Sequence, residues 1–276
     1  NITEAVSYFS GIDKDTVYTA AGISSSVSKI STNGVQSSKD ASKSLSLTIG
    51  VDSLTGAGSA DTFDGSIASS LDTSDVIDGK GGSDTLSATI AGESIRPNIS
   101  NVETIIYTAT ADTGTLNIDT RDISGATTFT NESSVGASAI NNLSTIPTFN
   151  FNSNSSAADV TINFTDAALA GSADELKINL NNFGGTSDIV VTDAGGTTNK
   201  LETVTINSTS LASTVTILTT DDIDATTLKV TGDEDLTIST AVSTDITTIN
   251  ASTFTGDLTV TGANTTGVTF TGGSGA

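Results

Sequence analysis

The chain has 276 residues, and its 32 Asp and Glu against ten Lys and Arg give a formal net charge of -22. That charge argues against nucleic acid and anionic membrane surfaces as partners. Cysteine, histidine, methionine and tryptophan are absent, which removes disulfides, thiolate and imidazole metal sites, and the Ser-His-Asp and Cys-His catalytic arrangements.

Only 35% of residues are hydrophobic and 4% aromatic, so a thick aromatic core is not expected. A thin core of Val, Ile, Leu and Thr, drawn out along the chain, suits stacked strands, because β-branched side chains pack well on a pleated surface. No apolar run is long enough for a transmembrane helix, and no basic-then-apolar leader opens the chain. The missing Met and the closing Gly-rich run Thr271-Gly272-Gly273-Ser274-Gly275-Ala276 are expected of a processed piece of a longer protein.

Residues 1–45 hold Ile2, Val6, Tyr8 and Phe9, then Val17, Tyr18 and Ile23, in a Ser- and Lys-bearing background. Weak helical spacing is visible from Thr3 to Phe9, and the segment reads as a linker or N-terminal cap. Residues 46–92 are rich in Gly, Asp and Ser, with Leu54, Phe63, Val76, Ile77 and Leu86 set among turn formers. Very short strands joined by tight turns are expected there.

This second segment carries the sharpest motif. Asp78-Gly79-Lys80-Gly81-Gly82-Ser83-Asp84-Thr85-Leu86 resembles the Gly-Gly-x-Gly-x-Asp-x-aliphatic-x nonapeptide of calcium-binding RTX turns, with Lys80 in place of its second Gly. A looser copy, Gly56-Ala57-Gly58-Ser59-Ala60-Asp61-Thr62-Phe63, lies upstream, and Asp64-Gly65 and Asp75-Val76-Ile77-Asp78 fall between them. Glycines permit sharp turns that aim carbonyls inward, the Asp adds a carboxylate, and the apolar residue two places on pins a strand. Calcium takes about six to eight oxygens, so adjacent turns can share an ion. The candidate ligands are Asp61, Asp64, Asp75, Asp78, Gly79, Gly81 and Asp84. A metal-free Gly-Asp turn is the alternative.

Residues 93–276 show short period-2 runs such as Val102–Ile106, Leu176–Leu180, Val215–Ile217, Leu236–Ile238 and Leu258–Val260, the pattern of half-buried strands. Leu201–Asn207, Ala225–Thr231 and Ile246–Asn250 resemble one another at a spacing of roughly 20–25 residues, the size of one solenoid coil. The expected fold is therefore all-β, a right-handed parallel β-helix or β-solenoid. β-Sandwiches in series are the alternative. Thr231-Gly232-Asp233-Glu234-Asp235 places three acids between two such runs, adding Asp233 and Asp235 as candidate ligands; solvated loops explain them equally well, as they do Asp221-Asp222-Ile223-Asp224, Gly256-Asp257 and Asp193–Gly196.

No enzyme is expected. Paired carboxylates act as acid and base in sugar cleavage, but such sites commonly need a nearby Arg or Lys or stacking aromatics. Here Arg96 and Arg121 are the only arginines, and Tyr numbers three. Gly184-Gly185-Thr186 lacks the Lys and helix of a phosphate loop.

Leu47–Gly56, Ala60–Gly65, Asp75–Gly79, Ser83–Leu86 and Asn101–Thr104, with the Thr-rich coils after them, resemble the S-layer proteins of Gram-negative bacteria exported by type I secretion. RTX adhesins share both features. The resemblance covers roughly residues 45–276. It implies a calcium-stiffened β-solenoid, export without an N-terminal signal, and two-dimensional self-assembly at the cell surface, with a cell-surface polysaccharide as a second partner. An adhesin or ligand-binding module is the first alternative, and a secreted polysaccharide-cleaving enzyme the second.

Overall fold

A computed structural model describes residues 41–91, 93–110, 115–154, 158–193, 200–219, 224–261 and 267–275. The expected helical spacing at Thr3–Phe9, the acids Asp221 and Asp222, and the turn 194–196 lie outside the described residues.

The first coils lay down two strands each: β1 (Ser44–Ser46) and β2 (Ser53–Ala57), then β3 (Thr62–Gly65) and β4 (Val76–Lys80). The next ones lay down three: β5 (Thr85–Ile90), β6 (Ser94–Ile95) and β7 (Asn98–Ser100), then β8 (Thr104–Ala109), β9 (Leu116–Asp119) and β10 (Ile123–Ser124). Two per coil follow: β11 (Thr128–Glu132) and β12 (Ser138–Leu143), β13 (Thr148–Asn152) and β14 (Val160–Phe164), β15 (Glu175–Asn181) and β16 (Ile189–Asp193). The pattern continues through β17 (Thr203–Ser208), β18 (Ser213–Thr219), β19 (Thr227–Gly232), β20 (Leu236–Val242), β21 (Thr248–Asn250) and β22 (Leu258–Val260) to β23 (Thr269–Thr271).

Every ladder among these strands is parallel, and one 11-stranded sheet runs from β1 to β23, taking one strand from each coil. The chain is a parallel β-solenoid, and the serial-sandwich alternative, which needs antiparallel pairing, falls. A 4-stranded sheet (β2, β4, β7, β10) backs the long sheet at the start, and an 8-stranded sheet from β6 to β22 backs it afterwards. Ser44–Ser46 already belongs to the long sheet, so regular structure begins inside the segment expected to be a linker or cap.

The sequence repeats and the registers coincide. Thr203, Thr227 and Thr248 stand side by side, as do Val204, Leu228 and Ile249. Alternation sends every second residue inward, so the pattern in β5 and β8 is half-buried, buried, half-buried. Inside, like stacks on like: Phe149, Ile178, Ile206 and Val230 form one continuous row. Burying each such side chain contributes about 1.5–3 kcal/mol, and no single coil can do so alone.

The scarce aromatics are concentrated rather than absent from the core. Phe129, Phe149, Phe151 and Phe183 are buried in one stack, with ring centroids 5.6, 6.2 and 5.4 Å apart along it. Tyr107, on β8, is buried with its hydroxyl 3.3 Å from Ser138 Oγ, and burial pushes its phenol up to about 12.

Candidate metal centre

The two nonapeptide-like segments lie on adjacent coils in matching register. Leu54 pairs with Ile77, Ala57 with Lys80, Thr62 with Thr85 and Phe63 with Leu86. Asp61 and Asp84 therefore occupy the same corner, each immediately before a strand of the long sheet, and both are buried at 1% exposure. Glu103, immediately before β8, continues the column.

These carboxylates join the coils through backbone N–H groups. Lys43 N donates to Asp61 Oδ1 at 2.5 Å, Asp61 N to Asp84 Oδ1 at 2.7 Å, and Asp84 N to Glu103 Oε2 at 2.8 Å. Each acid thus reaches back one coil and accepts from its own counterpart. The same device recurs where Asp174 N donates to Glu202 Oε2 at 2.7 Å and Asp52 N to Asp75 Oδ1 at 2.8 Å. A charged acceptor makes such bonds stronger than neutral ones.

The glycines of the motif are required by close coil approach. A Cβ on Gly79 would collide with the Asn101 carbonyl oxygen of the next coil and with Asp84 Oδ2. One on Gly56 would collide with the Gly79 carbonyl oxygen and Asp61 Oδ2. Beside each glycine, then, a carboxylate oxygen and a carbonyl oxygen from the following coil converge.

The two places differ in what the carboxylate oxygen does. Asp61 Oδ2 accepts the Ala57 N–H. Asp84 Oδ2 is buried with no hydrogen-bond partner. The cause is local: Lys80, the register partner of Ala57, has left-handed φ 72° and sends its N–H to Asp78 Oδ1 at 3.0 Å instead. Burial, and after it the charges of Asp61, Glu103 and Asp78, hold the Asp84 carboxyl above the usual range, against the pull of the Asp61 N–H. A raised carboxyl favours the fold in its protonated form, so its contribution is fullest below the ordinary carboxylate range and is lost as pH rises through the raised value. At neutral pH its charge is a cost that a bound cation would offset.

At the first coil a cation already occupies this kind of position. The Lys43 ammonium donates to the carbonyl oxygens of Thr55 and Gly56, both at 2.8 Å. The register counterparts of these carbonyls on the next coil belong to Asp78 and Gly79.

The remaining expected ligands are spread out. Both oxygens of buried Asp75 are taken, by the N–H groups of Asp52 and Asp72, each at 2.8 Å; burial pushes its carboxyl up. Asp78 accepts from Asn101 Nδ2 at 2.9 Å and pairs with Lys80 Nζ at 2.7 Å, which, with Asn101, holds its carboxyl down at about 2. Asp64 points outward from β3 and accepts the Ser66 N–H at 2.9 Å. Gly81 leaves open space where a side chain would stand, and its N–H donates to the Ala57 carbonyl at 3.2 Å. Asp233 and Asp235 are exposed in the turn between β19 and β20, where Asp235 Oδ1 accepts the Asp257 N–H at 2.9 Å.

Among the described residues, no three acidic side chains converge on one point. The donor set that fits a hard cation is therefore one orphaned carboxylate oxygen, of Asp84, beside backbone carbonyls, with further oxygens from carbonyls or water. Glu103, Asn101 and Lys43 belong to this corner and were not among the expected site residues. The signal for Glu103 was present: Asp61-Thr62, Asp84-Thr85 and Glu103-Thr104 repeat an acid–Thr–apolar phrase at intervals of 23 and 19 residues. Among the described residues, no helix is long and apolar enough to cross a membrane. No family model, no curated protein and no solved structure matches the chain.

Proposed function

We propose that this chain is a non-enzymatic structural protein of the extracellular bacterial surface, of the S-layer kind, whose solenoid is stiffened by calcium before copies assemble laterally into a lattice. The observation that carries the reading is Asp84 Oδ2: a buried, ionisable oxygen without a partner, set against a carbonyl of the next coil. An ion held by Asp84, the Gly79 and Asn101 carbonyls and their neighbours would tie adjacent coils together, which is where a solenoid gains its stability. The Lys43 ammonium on the equivalent carbonyls of the preceding coil supports a cation at such corners. Binding to the folded form alone would raise stability with calcium concentration, so folding would be promoted where calcium is abundant.

The test is thermal and hydrogen-exchange stability with excess calcium or excess chelator, alongside Asp84→Asn. The wild type is expected to be more protected with calcium between β2 and β8. Asp84→Asn keeps the acceptor for the Asp61 N–H and removes the buried charge. In chelator it should match or exceed the wild type by about 1 kcal/mol, and its calcium increment should vanish. Equal wild-type stability in both buffers would sink the calcium reading; a calcium response without ordered arrays in electron micrographs would sink the lattice alone.

A further inference from the structure

The outer surface of the long sheet differs from the rest of this acidic molecule. From β5 to β23 its strands contain only Glu132, Glu175, Lys177 and Lys229 as charged residues, so they are neutral on balance. The whole chain carries -22. Along the middle of this face runs a row of amides bonded in one sense. Asn150 Nδ2 donates to Thr130 Oγ1 at 3.1 Å, Asn179 Nδ2 to Asn150 Oδ1 at 2.7 Å, and Asn207 Nδ2 to Asn179 Oδ1 at 3.1 Å. Thr231 Oγ1 closes the row on Asn207 Oδ1 at 3.2 Å.

A primary amide has two N–H donors and two lone pairs on its oxygen. Each inner rung uses one donor and one lone pair within the row, so one donor and one lone pair remain on each half-buried amide. The rungs repeat at the strand spacing of ~4.8 Å, close to the advance per ring of an extended sugar chain. The row also fixes the amides in advance, so less side-chain freedom is lost on binding.

We infer that this face is a docking strip for an uncharged polysaccharide lying along the solenoid axis, its hydroxyls both giving to and accepting from the Asn150–Asn179–Asn207 row. A second copy of the chain fits less well. Face-to-face sheets interdigitate at about 10 Å, and the exposed Lys229, together with Lys177 and its ion-pair partner Glu175 3.9 Å away, would lose their water there. A hydrated polymer leaves them solvated. The inference does not rest on the calcium reading.

The test is retention of the whole chain on insoluble cellulose, chitin and mannan, in calcium and in chelator. Wild type should be retained on at least one, undiminished at about 1 M salt, where charges are screened within ~3 Å. Asn179→Leu should weaken retention about tenfold, the scale of one or two lost hydrogen bonds, with Asn150→Leu as a second rung should either variant fold poorly. Thr161→Leu, on β14 of the opposite sheet, should bind as wild type. The inference is overturned if wild type is retained on none of the three polymers. It is equally overturned if both Asn variants bind unchanged, or if Thr161→Leu loses as much. A wild-type dimer that Asn179→Leu dissolves would reassign the face to self-contact.

Discussion

Between Lys43 and Glu103 the coils are joined at their corners by carboxylates that accept a neighbouring coil's backbone N–H. Between Thr128 and Asn250 they are joined mainly by what stacks inside, the Phe129–Phe149–Phe151–Phe183 column and the aliphatic rows beyond it. The corner device persists there, at Asp174 and Glu202, but as an addition to a filled interior. Strands β1 and β3 of the early coils are short, and Leu47, Phe63, Leu71, Ile77 and Leu86 are among the large side chains buried there. One architecture is thus stabilised in two ways. Apolar stacking is indifferent to ions, whereas stacked carboxylates a coil apart repel unless each is neutralised, bonded or bridged. Sensitivity to calcium should accordingly be confined to the first coils.

The largest expected effect comes from emptying the later interior. Phe149→Ala removes the centre of the aromatic stack and should cost about 3–5 kcal/mol. Hydrogen exchange should show protection lost from β11 to β15, by the same amount with calcium or chelator. A calcium-dependent loss would break the comparison.

Gly79→Ala attacks the other mode. The added methyl has to displace the Asn101 backbone or Asp84, a strain of about 1–3 kcal/mol. Loss of protection should centre on β2 to β7 and leave β15 to β21 intact, and the calcium increment should fall with it. Uniform loss along the chain would mean that the two regions are one cooperative unit.

Lys80→Gly should have the smallest effect. It relieves a side chain at φ 72° but also removes an exposed ion pair, so stability should change by less than about 1 kcal/mol. Its readout is the Asp78 carboxyl, now held at about 2 chiefly by Lys80. NMR titration should find it moved up toward the ordinary range. An unmoved carboxyl would show that Asn101 alone sets it.

Period-2 alternation, turn formers and the recurrence of Leu201–Asn207 at Ala225 and Ile246 pointed to stacked strands, because side chains alternate faces and repeated phrases pack on themselves; parallel pairing decided the solenoid over sandwiches in series. The composition likewise determined that only oxygen ligands were on offer. Tertiary structure decided the rest. It set the exchange of the 4-stranded for the 8-stranded backing sheet, gathered distant phenylalanines into one stack, and assigned each corner acid its N–H. Most decisively, it left Asp84 Oδ2 alone while satisfying Asp61 in the equivalent position. That outcome depends on where the Lys80 N–H points, toward Asp78 Oδ1 from a left-handed φ, a backbone direction that residue type alone does not specify.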